Sequence, residues 1–268
     1  MRIRDALASA GLSRLEAQTL LAALLQRERA WLLAHDDEAL SEAQQSQWQD
    51  WLRRVADGEP LAYLLGRQEF HGLMLQVSRD TLVPRPDTET LVDWALELLP
   101  PAGRVADLGT GSGAIALAIK HRRPDADLVA SDLSAAALAV ARGNGERLAL
   151  AVDWRQGSWY QAFAADERFA LLVSNPPYIA AGDAHLPALH HEPAGALSPG
   201  GDGLDAIRAL IRGAPAHLLA GAWLLLEHGH DQAEAVAALF AADGRWRTAE
   251  HRQDLAGRLR CTGAQVPI

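Results

Sequence analysis

The feature that most constrains the fold is a regular alternation of strand-like and helix-like segments that begins near Arg104 and continues to Arg147. Short apolar runs typical of buried strands are followed by longer runs with helical periodicity. Such an alternation predicts parallel strands joined by crossover helices. The four segments are a strand at 105–107, a helix at 112–121, a strand at 126–131 and a helix at 134–147.

The rest of the chain after this segment continues the same pattern. Five further strands and two further helices bring the sheet to seven strands, and we predict an α/β fold with a doubly wound, mostly parallel sheet. The last two strands have no helix between them, so they should form an antiparallel hairpin at one edge. The strands are expected at 149–154, 171–175, 222–227, 246–251 and 259–266, and the helices at 205–219 and 231–240.

The first 70 residues are predicted to be helical throughout. Ser13 with Glu16, and Ser41 with Gln44, are spaced as capping boxes, in which a hydroxyl at the N-cap faces a Glu or Gln three residues on. The following residues are apolar at helical spacing and indicate a small bundle. A hairpin or linker is expected at 71–88, where alternating apolar residues precede a proline-rich stretch. We therefore predict domains at 1–70 and 89–268, joined by this linker.

A glycine-rich loop joins the first strand of the α/β segment to its helix. Glycines at alternate positions let the backbone turn tightly and approach a ligand, and the start of the helix presents free N–H groups. A nucleotide-like cofactor is expected here. The residues of the loop that we expect to contact it are Asp107, Gly109, Thr110, Gly111, Ser112 and Gly113.

The loop alone leaves two cofactor classes open. Gly109, Gly111 and Ala114 also satisfy the dinucleotide fingerprint, and Asp132, at the end of the next strand, suits a pair of ribose hydroxyls in either class. Asp107 favours S-adenosyl-L-methionine over NAD, because a carboxylate there would repel a pyrophosphate but attract a cationic group. Both acids also have plain structural interpretations, Asp107 as a turn cap and Asp132 as a cap for the following helix.

A second candidate site lies where the apolar run 171–174 ends in Asn-Pro-Pro-Tyr. Pro176 and Pro177 cannot continue a strand ladder and have fixed φ angles, so the tip is stiff. Its free groups are acceptors, namely the Asn175 side-chain oxygen and the carbonyls of Asn175 and Pro176, beside the ring of Tyr178. Two fixed acceptors that hold both hydrogens of an NH₂ group would aim its nitrogen. An ordinary proline-terminated turn is the alternative.

Composition excludes several classes. The single cysteine, Cys261, allows neither a disulfide framework nor a cysteine-based zinc cluster, and is typical of a reducing cytoplasm. A net charge of −9 disfavours non-specific binding to nucleic acid, so we expect no direct nucleic-acid partner. No apolar run has the length of a signal peptide core or a membrane span, so we expect a cytoplasmic protein that does not associate with membranes. We also expect a monomer.

The motifs in combination resemble those of the peptide chain release factor glutamine methyltransferases, the PrmC or HemK family. The resemblance covers nearly the whole chain. The similar blocks are Leu82–Glu89, Asp107–Gly113, Ser174–Ile179, His191–Pro193, Gly200–Leu204 and Glu227–His230.

That resemblance implies a class I S-adenosylmethionine-dependent methyltransferase with a Rossmann-like domain and an N-terminal helical domain for substrate recognition. The substrate implied is the glutamine side-chain nitrogen in the Gly-Gly-Gln motif of bacterial release factors. By position, Gly109–Gly113 and Asp132 would hold the cofactor, Trp159 would flank the adenine, and Asn175–Tyr178 would hold the amide. Many members have an acidic residue where this chain has Ser158; Asp153 is a candidate substitute.

Other functions remain open from the sequence. A sister activity would methylate a glutamine of a large-subunit ribosomal protein, and a more distant one would methylate adenine or cytosine in DNA. A module that binds the cofactor without catalysis is a third possibility. A metal site is also conceivable at His185, His190, His191 and Glu192, but we interpret this His-rich segment as a solvated lid and predict no metal.

Overall fold

The computed structural model describes residues 1–268 and divides into two compact units, Met1–Arg67 and Gln68–Ile268. Each unit has its own apolar core. No helix in either unit is both long enough and apolar enough to cross a lipid bilayer.

The first unit is a bundle of short helices around one core. Both predicted capping boxes are confirmed: Ser13 accepts from the backbone N–H of Glu16, and Ser41 accepts from that of Gln44. Trp48 is fully buried in the core, as its place on an apolar helix face predicted. The helices are α1 (Ile3–Ala8), α2 (Arg14–Leu25), α3 (Arg29–Ala34), α4 (Glu42–Ala56) and α5 (Leu61–Leu65).

A two-stranded hairpin follows the bundle, with strands β1 (Arg67–Phe70) and β2 (Leu73–Gln76). The expectation of helix up to residue 70 was wrong at its end. Gly66 adopts a φ of +66° and stops α5, so the chain turns into a strand four residues earlier than predicted. His71 and Gly72, both with positive φ, form the turn of the hairpin.

The second unit is built on a seven-stranded sheet in the order β5-β4-β3-β6-β7-β9-β8. All neighbours are parallel except β7 with β9 and β9 with β8, which are antiparallel, as predicted for the last two strands. The strands are β3 (Arg104–Leu108), β4 (Asp127–Asp132), β5 (Asp153–Gln156), β6 (Phe169–Ser174), β7 (Leu218–Glu227), β8 (Glu250–Gln253) and β9 (Leu259–Gln265).

Helices cover both faces of the sheet, which confirms the doubly wound α/β fold. Alternate strand residues enter two separate cores: Val105 and Leu171 pack with α6 and α7, while Ala106 and Leu172 pack with α10 and α11. The helices are α6 (Glu89–Leu98), α7 (Ala114–Arg122), α8 (Ala135–Leu148), α9 (Ala194–Leu197), α10 (Asp205–Gly213) and α11 (Ala233–Asp243).

Several boundaries in the second unit differ from the sequence-based expectations, among them the start of β7, which lies at Leu218 and not at 222. The strand expected from 149 begins at Asp153, because Ala149 caps α8 in the left-handed region with a φ of +54°. The strand expected from 246 begins at Glu250, because the Trp246 ring packs edge-on against Phe240 of α11, with centroids 5.1 Å apart. The helix expected over 205–219 ends at Gly213, and β7 already starts at Leu218.

Candidate active site

A cavity of about 350 Å³ lies at the carboxyl edge of the parallel strands. Ligands of open α/β sheets bind at this edge, where the loops that follow neighbouring strands converge. The glycine-rich loop and the Asn-Pro-Pro tip both line it. Other lining residues come from 80–88, from the segments after β4 and β5, and from 193–196.

Backbone hydrogen bonds hold the glycine-rich loop in place. The N–H groups of Gly109 and Thr110 both donate to the Ser131 carbonyl, at 2.8 and 2.9 Å, and that of Gly111 donates to Asp132 Oδ2 at 2.9 Å. The glycines 109, 111 and 113 have φ angles of +75°, +57° and +84°, in the left-handed region that disfavours side chains. Residues 109–112 all line the cavity.

Asp107 and Gly113 lie behind the loop, outside the cavity lining. Asp107 is fully buried; its Oδ2 accepts from the Thr110 hydroxyl at 2.6 Å and from the Ala116 N–H at 3.3 Å, and its Oδ1 has no partner. Burial raises the pKa of Asp107 to about 7. The structure places this carboxyl group where it fixes the loop from behind.

Asp132 ends β4 and faces the cavity. Its Oδ2 accepts from the Gly111 N–H, and its Oδ1 accepts from the Ser134 N–H at 2.9 Å. Each oxygen keeps a free lone pair, so the carboxylate can still accept hydrogen bonds from a ligand. Leu133 beside it is 71% exposed and adds an apolar surface to the same wall.

Trp159 borders the cavity beside the glycine-rich loop. A Cβ atom on Gly109 would lie 3.2 Å from Trp159 Cζ3, so the absence of a side chain at Gly109 permits the ring's approach. Trp159 itself has a φ of +49°, an uncommon conformation for a bulky residue. Ser158 lines the cavity, whereas Asp153 lies outside the lining, and its carboxylate pairs with Arg155 at 2.7 Å.

The Asn-Pro-Pro tip lies directly after β6, next to the strand that carries the glycine-rich loop. The Ser174 hydroxyl donates to the Leu108 carbonyl at 2.6 Å, which ties the ends of β6 and β3 together. Asn175 and Pro177 line the cavity. The Asn175 Nδ2 group donates to Thr88 Oγ1 at 3.3 Å, and the side-chain Oδ1 is therefore left as an acceptor.

Pro176 and Tyr178 support the tip from outside the cavity lining. Pro176 is buried, and the Tyr178 hydroxyl group lies 3.5 Å from Glu227 Oε1. The Tyr178 carbonyl accepts from Gln232 Nε2 at 3.0 Å. A Cβ atom on Gly203 would lie only 2.3 Å from that carbonyl oxygen, which explains a glycine at this position.

One wall of the cavity is fastened by a buried carboxylate. Glu192 accepts from the Val83 N–H at 3.0 Å and pairs with Arg85, and its side chain is only 1% exposed. It therefore links the segment 82–85 to 193–196, and both segments line the cavity. Of the histidines considered as metal ligands, His185 faces Asp183 at 2.7 Å and His190 faces the Pro187 carbonyl at 2.9 Å.

Sequence analysis missed two residues of the site, Thr88 and Glu227. Glu227 ends the parallel strand β7 and is 1% exposed, and Thr88 lines the cavity beside Asn175. Burial raises the pKa of Glu227 to about 7. Glu227 closes an apolar strand at the same sheet edge as Asp132 and Asn175, so its position was a usable signal. Thr88 carried none, because its role depends on a contact between residues 87 positions apart.

Two families of known domains match the chain. The PrmC N-terminal domain matches residues 1–66, and the methyltransferase small domain matches residues 88–202.

Solved structures with the same fold include a methyltransferase from Pyrococcus furiosus, with a TM-score of 0.58 and 17% identity over 82% of this chain and 100% of that one. A second is the 16S rRNA N2 G1207 methyltransferase of Thermus thermophilus in complex with AdoMet and guanosine. It has a TM-score of 0.54 and 19% identity, over 75% of this chain and 49% of that one. At these identities the likeness concerns the fold, which is that of class I methyltransferases.

Curated relatives match over nearly the whole chain. The release factor glutamine methyltransferase of Bordetella pertussis is 50% identical over 98% of this chain and 99% of its own length. The enzyme of the same name from Xylella fastidiosa is 49% identical, over 98% and 96%. The matched region covers the helical bundle as well as the sheet domain. The chain belongs to the release factor glutamine methyltransferase family.

Proposed function

We propose that this protein transfers a methyl group from S-adenosylmethionine to the side-chain amide nitrogen of the glutamine in the Gly-Gly-Gln motif of bacterial release factors. The observation that carries the proposal is that one cavity is lined both by the glycine-rich loop and by Asn175, in a chain related to named release factor glutamine methyltransferases over nearly its full length.

The cavity residues suit the proposed cofactor. Asp132 has free lone pairs for ribose hydroxyls, Leu133 and Trp159 offer apolar surfaces for a flat base, and residues 109–112 bring backbone close to the ligand. Ser158, which lines the cavity, offers a neutral hydroxyl group. The bound cofactor would supply an activated methyl group on a sulfonium centre.

The chain's own part in the reaction is to position the amide. An amide nitrogen is a weak nucleophile because its lone pair is delocalised into the carbonyl group. The acceptors proposed for the two N–H bonds are the Asn175 Oδ1 atom, whose residue lines the cavity, and the backbone carbonyl of Pro176, whose residue lies just outside the lining. Together they would aim the nitrogen into the cavity. Alignment of two bound reactants is worth roughly 7–11 kcal/mol. The N-methylated amide would be a strongly acidic cation that loses its proton to water, so a strong base is not required.

The proposal is tested by mass spectrometry of a purified bacterial release factor after incubation with this protein and S-adenosylmethionine. We expect a gain of one methyl group on the Gly-Gly-Gln glutamine, and none on a release factor whose motif glutamine is replaced by glutamate. A large-subunit ribosomal protein serves as the competing substrate. Methylation of that protein, with the release factor left unmodified, would overturn the assignment.

A further inference from the structure

A buried carboxyl group lies beneath the Asn-Pro-Pro-Tyr tip. Glu227 is 1% exposed; the Tyr178 hydroxyl group lies 3.5 Å from its Oε1 atom, and its Oε2 atom has no partner within hydrogen-bond geometry. The Thr88 hydroxyl group lies near this carboxyl group and lowers the pKa of Glu227 against the larger effect of burial. Burial of an incompletely hydrogen-bonded carboxyl group lowers the stability of the fold, so its presence beside the site indicates a functional role.

Thr88 connects this carboxyl group to Asn175. The Thr88 hydroxyl oxygen accepts from Asn175 Nδ2 at 3.3 Å. A hydroxyl group has one hydrogen to donate, and its lone pairs can accept. The three side chains are therefore neighbours in the order Glu227, Thr88 and Asn175, and a hydrogen bond from Thr88 to the carboxyl group would act as a relay and determine the direction of the one between Thr88 and Asn175.

We propose that Glu227 is a positioning residue, whose ionised carboxylate orients the Thr88 hydroxyl group and thereby the Asn175 amide, with Asn175 Oδ1 directed to the substrate. This inference rests on the proposed role of Asn175 in holding the substrate amide.

The relay follows from the hydrogen-bonding capacities of the three groups. An ionised carboxylate only accepts, so Thr88 donates to it, and the lone pairs of Thr88 then favour the Nδ2 side of Asn175. A neutral carboxyl group can donate to Thr88 instead. The Thr88 hydrogen is then free to point at Asn175, which favours the flipped amide and turns an NH₂ group towards the substrate. Two NH₂ groups that face each other cannot form the hydrogen bond needed for alignment.

The surroundings of Glu227 raise its pKa to near neutral pH. Burial is the largest influence on its pKa and raises it to about 7; Arg260 opposes this effect and Asp87 adds to it. Arg260 and Asp87 pair with each other at 3.0 Å. Tyr178 and the buried thiol of Cys261 also face the carboxyl group, and the pKa of each is raised above its usual range, so both stay neutral. The ionised fraction of Glu227 thus increases as pH rises through about 7.

The first test compares Glu227→Gln, Thr88→Val and Thr88→Ser in release factor methylation. We expect kcat to fall roughly tenfold to a hundredfold in the first two, with an unchanged KM for S-adenosylmethionine, because alignment is lost but the cofactor wall is not. Thr88→Ser keeps the hydroxyl group and should recover most of the loss seen with Thr88→Val. Glu234→Gln, an exposed change at the start of α11, is the matched control and should behave as the wild type.

The pH dependence of kcat distinguishes an orienting role of Glu227 from a role in packing alone. Wild-type kcat should rise with pH to a plateau above about 7, and the Glu227→Gln profile should lack this step. A Glu227→Gln variant with wild-type kcat and an unchanged pH step would overturn the inference while leaving the methylation of release factors intact.

A second measurement does not depend on the substrate. The Asn175 side-chain NH₂ resonances, assigned by their loss in Asn175→Ala, should shift with pH near 7 in the wild type and not in Glu227→Gln. Resonances that do not titrate in the wild type would refute the relay even if the protein proved to methylate a different substrate.

Discussion

Asn175 is the residue on which the proposed transfer depends most directly. In Asn175→Ala we expect roughly a hundredfold loss of methylation, because one of the two acceptors for the substrate amide is removed. The affinity for S-adenosylmethionine should stay within about twofold, since the glycine-rich loop and Asp132 are untouched. Single-turnover methylation and calorimetric titration of the cofactor measure the two quantities. A variant that keeps wild-type turnover would refute the role of Asn175.

Gly113 shows how tightly the loop is packed from behind. A Cβ atom there would lie 2.9 Å from Trp154 Cη2 and 3.2 Å from Ala141 Cβ, at a φ of +84°. We expect Gly113→Ala to lower the free energy of unfolding by about 2–4 kcal/mol. Gly111→Ala is the matched control, because its φ of +57° brings strain but no atom lies within 4 Å. Denaturant unfolding of both variants should show a larger loss for Gly113→Ala.

The site residues predictable from sequence are those with a local signature. Gly109, Gly111, Asp132 and Asn175 each sit directly at the end of a strand pattern or in a turn, and the structure brings them to one cavity. Thr88 depends instead on a tertiary contact that no local pattern encodes. The positions of Asp107 and Gly113 behind the loop were equally hidden. Only the packing of the folded chain distinguishes a residue that contacts a ligand from one that supports the loop.

At the scale of elements, the segment 192–197 is held in place by one side chain. In Glu192→Ala the Val83 N–H loses its acceptor and Arg85 loses its partner, so residues 193–196 should separate from the opposite wall. We expect faster hydrogen exchange over 192–197 and a cofactor affinity weaker by about tenfold. Asp202→Asn, an exposed change five residues beyond this segment that keeps an acceptor for the Leu204 N–H, is the control. Equal exchange rates in the two variants would contradict this role.

Element types were predictable, whereas their ends depended on packing. The order of strands and helices follows from periodicity, and the two capping boxes marked helix starts that the structure confirms. The errors at β5 and β8 have different physical causes. The left-handed C-cap of α8 at Ala149 delays the start of β5, and the packing of Trp246 against Phe240 delays the start of β8.

At the scale of the whole molecule, the division into two units allows their roles to be tested separately. Every residue that lines the cavity lies between 80 and 196, in the second unit. We expect removal of residues 1–67 to leave cofactor affinity nearly unchanged and to lower release factor methylation strongly, if the helical bundle recognises the substrate as proposed. Titration with the cofactor and the mass-spectrometric assay measure the two effects. Full methylation by the shortened chain would exclude the bundle from recognition.

Buried acids also give the whole molecule a pH-dependent stability. The pKa of Asp107 is raised to about 7, so its contribution to stability is fully present below the pKa of the unfolded chain and is lost as pH rises through about 7. Relative to Asp107→Asn, the wild type should therefore lose up to about 2–3 kcal/mol between pH 5 and pH 7. Urea unfolding of both proteins at several pH values measures the difference. A constant difference would show that Asp107 does not titrate in this range.

The bond between the Ser174 hydroxyl group and the Leu108 carbonyl has a consequence for how such enzymes diversify. It joins two adjacent, hydrogen-bonded strands, so the separation between the proposed methyl-donor pocket and the proposed acceptor tip is fixed by the sheet itself. Loops and appended helices can then be exchanged without disturbing the reaction geometry. If the helical bundle recognises the substrate as proposed, retargeting this scaffold to another amide-bearing macromolecule becomes a matter of replacing the bundle and preserving the pair of strands.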